Sequence, residues 1–280
     1  MEHMSFKIVV DSCCDLTPQM LQDPCFVKVP LTIQVDQSTF VDDETFDQAD
    51  LLWAMHHSEH APTTSCPSPQ AYLHAYQGAD DVYVVTLSAL LSGSHNSAEQ
   101  ARMMLEEDEP QVNVHVFNSC SAAAGEVLVA LKIRELAASG MAFKHVVREV
   151  EQFIYKMQTM FVLESLENLR KNGRLTKLQA VVTGALKIKL FMGATPEGEI
   201  CKLGQALTIK QALTKMVDKV AADPEHKGRK LIISHCNCLE RAFQVKKMLE
   251  DKCQLSEVVI VDAKGITTVY AYDGGIVIAY

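Results

Sequence analysis

Strand-sized apolar runs alternate with helix-patterned segments through the first half of this chain, and no other feature constrains its fold as tightly. Phe6 to Val10, Asp81 to Leu87 and Val112 to Phe117 read as strands. Short apolar runs bounded by turn residues match strands covered on both faces. Helical segments lie between them. Thr17-Pro18 supplies an N-cap and a proline at the first helical position. Phe46 to His56 is amphipathic, and Pro69 opens a helix through Tyr76. Ser92 to Glu106 is a loop entering a helix, and Ala122 to Ser139 is an alanine- and leucine-rich helix that Gly140 terminates. Strands separated by helices predict a parallel sheet covered on both faces. Val27 to Val35 reads as extended, with Pro30 marking an edge or a bulge, and Pro62 to Ser68 reads as a loop.

The second half follows another pattern. Lys144 to Met157 is a linking helix. Short strands and hairpin signals begin beyond Phe161, with Thr195-Pro196-Glu197-Gly198 as a turn between Leu186 to Met192 and Glu199 to Lys202. Then come helix Thr208 to Ala222, strand Lys230 to Ser234, helix Leu239 to Glu250 and strand Glu257 to Val261. The closing stretch, Ile266 to Tyr280, is apolar and broken at Gly274-Gly275. This is an α+β pattern. At 280 residues the chain is nearly twice the ~150 of one domain, so the expectation is an α/β domain over 1–158 and a smaller α+β domain over 159–280.

Composition narrows the function. Hydrophobic residues make up 48%, which excludes a disordered chain, and no run reaches the ~18 apolar residues of a membrane-spanning helix. The start, Met1-Glu2-His3-Met4, lacks the basic and apolar regions of a signal peptide. A net charge of −9 argues against nucleic acid as a partner. Nine cysteines, an odd number without repeated spacing, read as buried or free thiols in a reducing cytoplasm. Charge is uneven, however. Asn168 to Pro196 carries no acid, whereas Arg170, Lys171, Arg174, Lys177, Lys187 and Lys189 are basic. That stretch reads either as a docking face for an anionic partner or as a solvated basic face.

Three loops are dense in hydroxyl residues: Asp11-Ser12, Thr63 to Ser68, and Ser88 to Ser94. In a parallel sheet, strand-to-helix loops gather at the carboxyl edge, where helix N-termini present free N–H groups to an anion. The same Ser and Thr residues serve equally as N-caps. Catalytic patterns are missing, since neither G-x-S-x-G nor G-x-x-x-x-G-K-[ST] occurs. His95 follows Ser92 without an identifiable orienting acid. His235-Cys236-Asn237-Cys238 lacks a second cluster of metal-ligand spacing. Met103, Met104, Met157 and Met160 read as core filler. No catalytic residue, metal or cofactor is expected.

The order of these motifs resembles the DegV family of bacterial lipid-binding proteins over essentially the whole chain. Val10 to Leu16 (V-D-S-C-C-D-L) is similar to the family's V-D-S-x-x-D-L, and Pro62 to Ser68 (P-T-T-S-C-P-S) to P-T-T-S-Q-P-S. Leu87 to Ala98 resembles the segment around L-S-G-T, and Leu166 to Thr176 (L-E-N-L-R-K-N-G-R-L-T) resembles L-x-x-L-x-x-G-G-R-[IL]. The resemblance implies a Rossmann-like domain and a smaller α+β domain enclosing a long-chain fatty acid such as palmitate or oleate. It further implies that Thr64 and Ser92 bind the carboxylate, with Ser65 and Gly93 completing the site. A separate ATP-dependent kinase would phosphorylate that carboxylate for phospholipid synthesis, and Arg174, with Arg170 and Lys171, would face this partner. The chain departs from the family pattern in three places. Gly265 to Gly275 holds no histidine, Leu190 follows Ile188-Lys189 in place of proline, and Asn118 precedes Ser119 where aspartate is common. The competing expectations are an enzyme acting on an acyl or phosphorylated small molecule, with Ser92 as nucleophile, and a fatty-acid-responsive regulator.

Overall fold

The computed structural model describes residues 4–178 and 188–280. Met1 to His3, the predicted strand start at Leu186 and the basic Lys187 lie outside the described residues. In chain order the first half contains β1 (Met4–Asp11), α1 (Pro18–Gln22), β2 (Phe26–Val29), β3 (Thr32–Val35) and β4 (Ser38–Val41). It continues with α2 (Gln48–His57), β5 (Thr63–Ser65), α3 (Pro69–Tyr76), β6 (Ala79–Thr86) and α4 (Ser94–Asp108). β7 (Asn113–Asn118), α5 (Ala124–Ala138) and α6 (Phe143–Lys156) follow. The predicted signals act locally: Thr17 Oγ1 accepts from Met20 N at 3.1 Å, and Gly140 closes α5 at φ +79°.

Strands β2-β1-β6-β7 form an all-parallel sheet. Alternate side chains enter opposite layers, as the strand period of two requires. Val9, Val82, Val84 and Val116 pack against Tyr72, Tyr76, Ala98 and Leu105 of α3 and α4. Ile8, Val10, Tyr83 and Val85 pack against Val127, Ala130 and Ile133 of α5.

Pro30 marks a sheet edge, not a bulge: it separates β2, at the edge of the parallel sheet, from β3, which belongs to an antiparallel sheet ordered β4-β3-β5. One expectation in this half needs correction. Thr63 to Ser65, expected as loop, is β5, with Ile33 opposite Thr64. Such short polar strands carry no apolar alternation, and their pairing crosses about thirty residues of chain, which local pattern cannot register.

The second half contains β8 (Thr159–Val162), α7 (Glu167–Lys171), β9 (Lys189–Ala194), β10 (Ile200–Ala206), α8 (Ile209–Ala222) and β11 (Lys230–His235). It ends with α9 (Leu239–Lys252), β12 (Glu257–Asp262), α10 (Gly265–Ala271) and β13 (Ile276–Ala279). Its sheet runs β10-β9-β8-β13-β11-β12, with only β11 and β12 parallel. α5 explains its own apolar composition. Val127, Leu128, Val129 and Ala130 are all buried, because the helix touches β1 and β6 as well as β11 and β13. A helix covered all round needs no polar face. One hydrophobic cluster therefore joins Ile8 and Phe117 to Phe161, Met192 and Val277. Of the methionines read as core, Met160 is buried, whereas Met103 and Met104 lie on the exposed face of α4, where a single exposed apolar side chain carries little cost.

Candidate functional site

The carboxyl edge of the parallel sheet is held together by one buried carboxylate. Asp11 ends β1, and its Oδ2 accepts from Leu87 N at 2.9 Å and Ser94 Oγ at 2.7 Å. Its Oδ1 accepts from Cys13 N at 3.1 Å. The β1 and β6 loops are thereby locked side by side. Burial pushes this carboxyl above its ordinary range, against the opposing pull of those hydrogen bonds.

Beneath these loops the two sheets leave a cleft of about 750 Å³, part of it open to solvent. Cys13, Leu87, Leu91 and Ala122 line it from the parallel sheet, and Phe161, Leu163, Ile200 and Val277 from the mixed sheet. Arg174 is the one charged residue among the described residues of its wall. The β9–β10 turn covers one side. Ser88 Oγ donates to Gly198 O at 2.8 Å, and a Cβ on Gly198 would stand 2.4 Å from Ser88 Oγ and 2.8 Å from Cys120 Cα. Only glycine allows the turn that close.

None of the four predicted head-group residues lines this cleft, though the loops that carry them are neighbours beside it. Thr64, on β5, shares a 2.8 Å hydrogen bond with the hydroxyl of Tyr270, whose side chain does line the cleft. Ser92 Oγ accepts from Ser94 N at 3.2 Å, which leaves its own proton free. Gly93 is exposed, and a Cβ there would lie 3.1 Å from Cys66 Sγ, so the β5 and β6 loops are neighbours. Ser65 is exposed in β5, opposite Thr32. His95 turns elsewhere, its Nδ1 sitting 3.2 Å from Thr86 Oγ1.

Arg174, expected on a partner-facing surface, is half-buried in the cleft wall. Its guanidinium carbon lies 5.5 Å from the Tyr270 ring centroid. Its Nε donates to Leu91 O at 3.1 Å and its Nη1 to Asn172 O at 2.6 Å. Asn172 Nδ2 donates to Pro62 O at 2.9 Å, so the segment after α7 straps both hydroxyl-rich loops. The remaining described cations of the basic stretch are paired. Arg170 and Lys171 approach Glu167 at 2.6 and 3.7 Å, Lys177 meets Glu199 at 2.5 Å, and Lys189 meets Glu164 at 2.9 Å. Those acids flank the acid-free window in sequence or in space.

Tyr270 was not singled out by sequence, because Ile266 to Tyr280 reads as an undivided apolar stretch. Two buried carboxylates from the first half fix it in place. Asp42 accepts from Gly265 N and Ile266 N, both at 2.9 Å, at the N-terminus of α10. Asp15 accepts from Lys264 N at 2.7 Å and from Ser234 Oγ at 2.5 Å. Burial pushes Asp15 up to about 7, despite the hydrogen bonds that favour its charge. A carboxyl whose folded value exceeds its unfolded 3.8 stabilises the protein most below pH 3.8, and that contribution is lost as pH rises toward 7. Asp15→Asn is therefore expected to gain in melting temperature relative to the parent between pH 4 and 7. Parallel melting curves for the two proteins across that range would refute it.

In His235-Cys236-Asn237-Cys238, His235 and Cys236 are buried and Asn237 is exposed, and His235 Nε2 lies 3.0 Å from Asp262 Oδ1. His235 Nδ1 accepts from Cys238 N at 3.3 Å. No group of three or more His, Cys, Asp or Glu side chains is arranged for a metal ion among the described residues. All nine cysteines are free, and no described helix is long and apolar enough to cross a membrane.

The DegV family model matches residues 5–280. A DegV domain-containing protein of Streptococcus pyogenes serotype M1 is 36% identical over 279 residues, covering 99% of each chain. A DegV family protein of Ruminococcus gnavus, solved with vaccenic acid, is 46% identical with a TM-score of 0.95, over 99% of this chain and all of that one. The Fatty Acid Kinase (Fak) B3 protein of Streptococcus pneumoniae, loaded with linoleic acid, is 33% identical with a TM-score of 0.90, over 99% of both.

Proposed function

The chain belongs to the DegV family, and on that premise we propose that it encloses a long-chain fatty acid in the cleft and presents the carboxylate to a separate ATP-dependent kinase. The observation that carries this reading is the cleft itself, walled by aliphatic and aromatic side chains with one cation, Arg174, near a rim of hydroxyls. Relatives at 46% and 33% identity hold vaccenic and linoleic acid. Two domains, 1–158 and 159–280, would meet across this cleft, in a protein of the reducing cytoplasm.

Magnitudes suit a carrier. The roughly fourteen methylenes of a sixteen-carbon acid contribute ~11 kcal/mol gross at ~0.8 kcal/mol each. Association itself costs ~4–15 kcal/mol. A hydrogen bond to a charged head group contributes ~1.5–3 kcal/mol, so the rim orients more than it holds. We assign the carboxylate to the rim where Thr64, Ser65, Ser92 and Gly93 meet. Arg174, Arg170 and Lys171 surround its approach from the α7 side, where the kinase would dock.

Organic extraction of the purified protein, followed by mass spectrometry, tests the reading. A stoichiometric long-chain fatty acid supports it, and an empty cleft with hydrolysis of acyl esters overturns it. Ser92→Ala is expected to weaken binding within about tenfold while lowering acyl-phosphate formation by the partner kinase much further. Unimpaired transfer would remove Ser92 from the head-group site.

A further inference from the structure

The cleft wall carries two separate sets of hydroxyls. Thr267 and Tyr270 belong to α10, where Arg174 lies over the Tyr270 ring. Ser121 follows β7 and Thr159 opens β8, and their side-chain oxygens stand 2.6 Å apart. We propose that this second pair receives the far end of the acyl chain, and that the ligands of this protein include fatty acids hydroxylated at that end. The inference rests on the fatty-acid reading and adds a substrate class to it.

The surroundings of the pair are polar where the rest of the wall is not. Cys120, Thr159 and Ala194 line the acyl cleft and also a second cavity of about 390 Å³. Ser119, Gln158, Thr195 and Tyr155 give that cavity polar walls. Tyr155 is mostly exposed, so the cavity opens at the surface. Neither Arg174 nor any residue of α10 is among the described residues that line it. A chain with its carboxylate on the Arg174 side, laid along the cleft, ends at the Ser121–Thr159 pair beside this cavity.

A plain methyl end gains nothing from such neighbours, because hydroxyls in an apolar wall cost desolvation that alkyl groups would avoid. A hydroxylated end gains a partner. Ser121 is buried, and it has the Ala122 carbonyl at 3.4 Å as a second acceptor for its proton. Whichever hydroxyl donates within the pair, Thr159 keeps bonding capacity for a ligand. It retains a lone pair when it gives its proton to Ser121, and a proton when it receives one. Gly125, in the first turn of α5, makes the seat for Ser121, since a Cβ there would stand 2.6 Å from Ser121 Cβ. Along the apolar wall, Phe161, Leu163 and Val277 offer a hydroxyl no partner. The position of a hydroxyl along the chain therefore decides whether it is tolerated.

The test uses delipidated full-length protein and displacement of a fluorescent fatty acid by palmitate, 16-hydroxypalmitate and 10-hydroxypalmitate. The 16-hydroxy acid is expected to bind within ~3-fold of palmitate, and the 10-hydroxy acid ~10-fold or more weakly. Thr159→Val, close to isosteric, is expected to lower the affinity for 16-hydroxypalmitate relative to palmitate ~5–10-fold. Ala194→Leu, which fills the passage between the two cavities, is expected to lower the same ratio, and near-ultraviolet circular dichroism checks that each variant folds. An unchanged ratio in folded Thr159→Val overturns the role of the pair, and an unchanged ratio in folded Ala194→Leu overturns that of the second cavity. A parent protein that binds palmitate but takes both hydroxy acids equally poorly overturns this inference and leaves the fatty-acid reading standing. One that binds none of the three overturns both.

Discussion

On the proposed function, a Val277→Phe protein is expected to fold and to bind a long acyl chain far more weakly. Val277 lies in β13 opposite Phe161 of β8, and both side chains face the cleft. It is 9% exposed, so the substitution directs the added ring atoms into space that the fold leaves empty. Overpacking a filled core costs ~1–3 kcal/mol; entering a cavity costs less, and the strand pairing is untouched. The ligand bears the loss. Excluding about four methylenes at ~0.8 kcal/mol each removes ~3 kcal/mol, or about two hundredfold in affinity. Lipid extraction with mass spectrometry, beside a near-ultraviolet circular dichroism spectrum, measures both halves of the expectation. A folded variant that still carries stoichiometric fatty acid of unchanged length would show that this cleft is not the acyl site.

The second large effect concerns stability. Glu126, in the first turn of α5, is fully buried, and among the described residues neither side-chain oxygen has a partner in hydrogen-bond geometry. Burial, with the Asp11 carboxylate adding to it, pushes this carboxyl well above its ordinary range. The folded protein therefore keeps a proton that the unfolded chain releases above 4.5. The stability this group contributes is complete below 4.5 and declines as pH rises through the folded value. Glu126→Gln supplies a neutral side chain of nearly the same shape, with no proton to lose as pH rises. The expected gain at pH 8 is ~1–3 kcal/mol, equivalent to roughly 3–10 °C in melting temperature. At pH 5 the gain should shrink. Melting curves at both pH values decide it, and a variant that melts below the parent at pH 8 would contradict the reading.

Much of the fold was legible because it follows from local pattern. The strands at Phe6, Asp81 and Val112 announce themselves by apolar runs, and α3 begins at Pro69 where the proline allows it. The three-stranded antiparallel sheet was not legible. β4 and β5 are short and polar, and their stability comes from pairing with β3 rather than from their own composition. The surroundings of the cleft divide in the same way. The loops of Thr64, Ser65, Ser92 and Gly93 are visible in the sequence by their hydroxyl density, while Tyr270 and Asp42 carry no signal there. A tyrosine in an apolar stretch and an aspartate beside a turn acquire roles only from what they meet.

The basic stretch shows the same limit from the other side. Counted along the chain, Arg170 to Lys189 is a block of uncompensated charge. In space Glu164, Glu167 and Glu199 meet most of its described cations, and Arg174 turns into the cleft. Charge is additive along a sequence, but its effect depends on distances between residues far apart in that sequence.

By itself, then, the sequence determined the alternation of strand and helix, the parallel sheet with its loops at one edge, and the change of pattern in the second half. These are consequences of periodicity and capping, which act within a few residues. Only the tertiary structure decided that α5 is shared by two sheets, that a cleft remains between them, and that a tyrosine from the last helix meets a threonine from the fifth strand. Those facts depend on contacts across about two hundred residues, such as Asp42 with Gly265 and Thr64 with Tyr270, whose energies exist only once the chain has closed on itself.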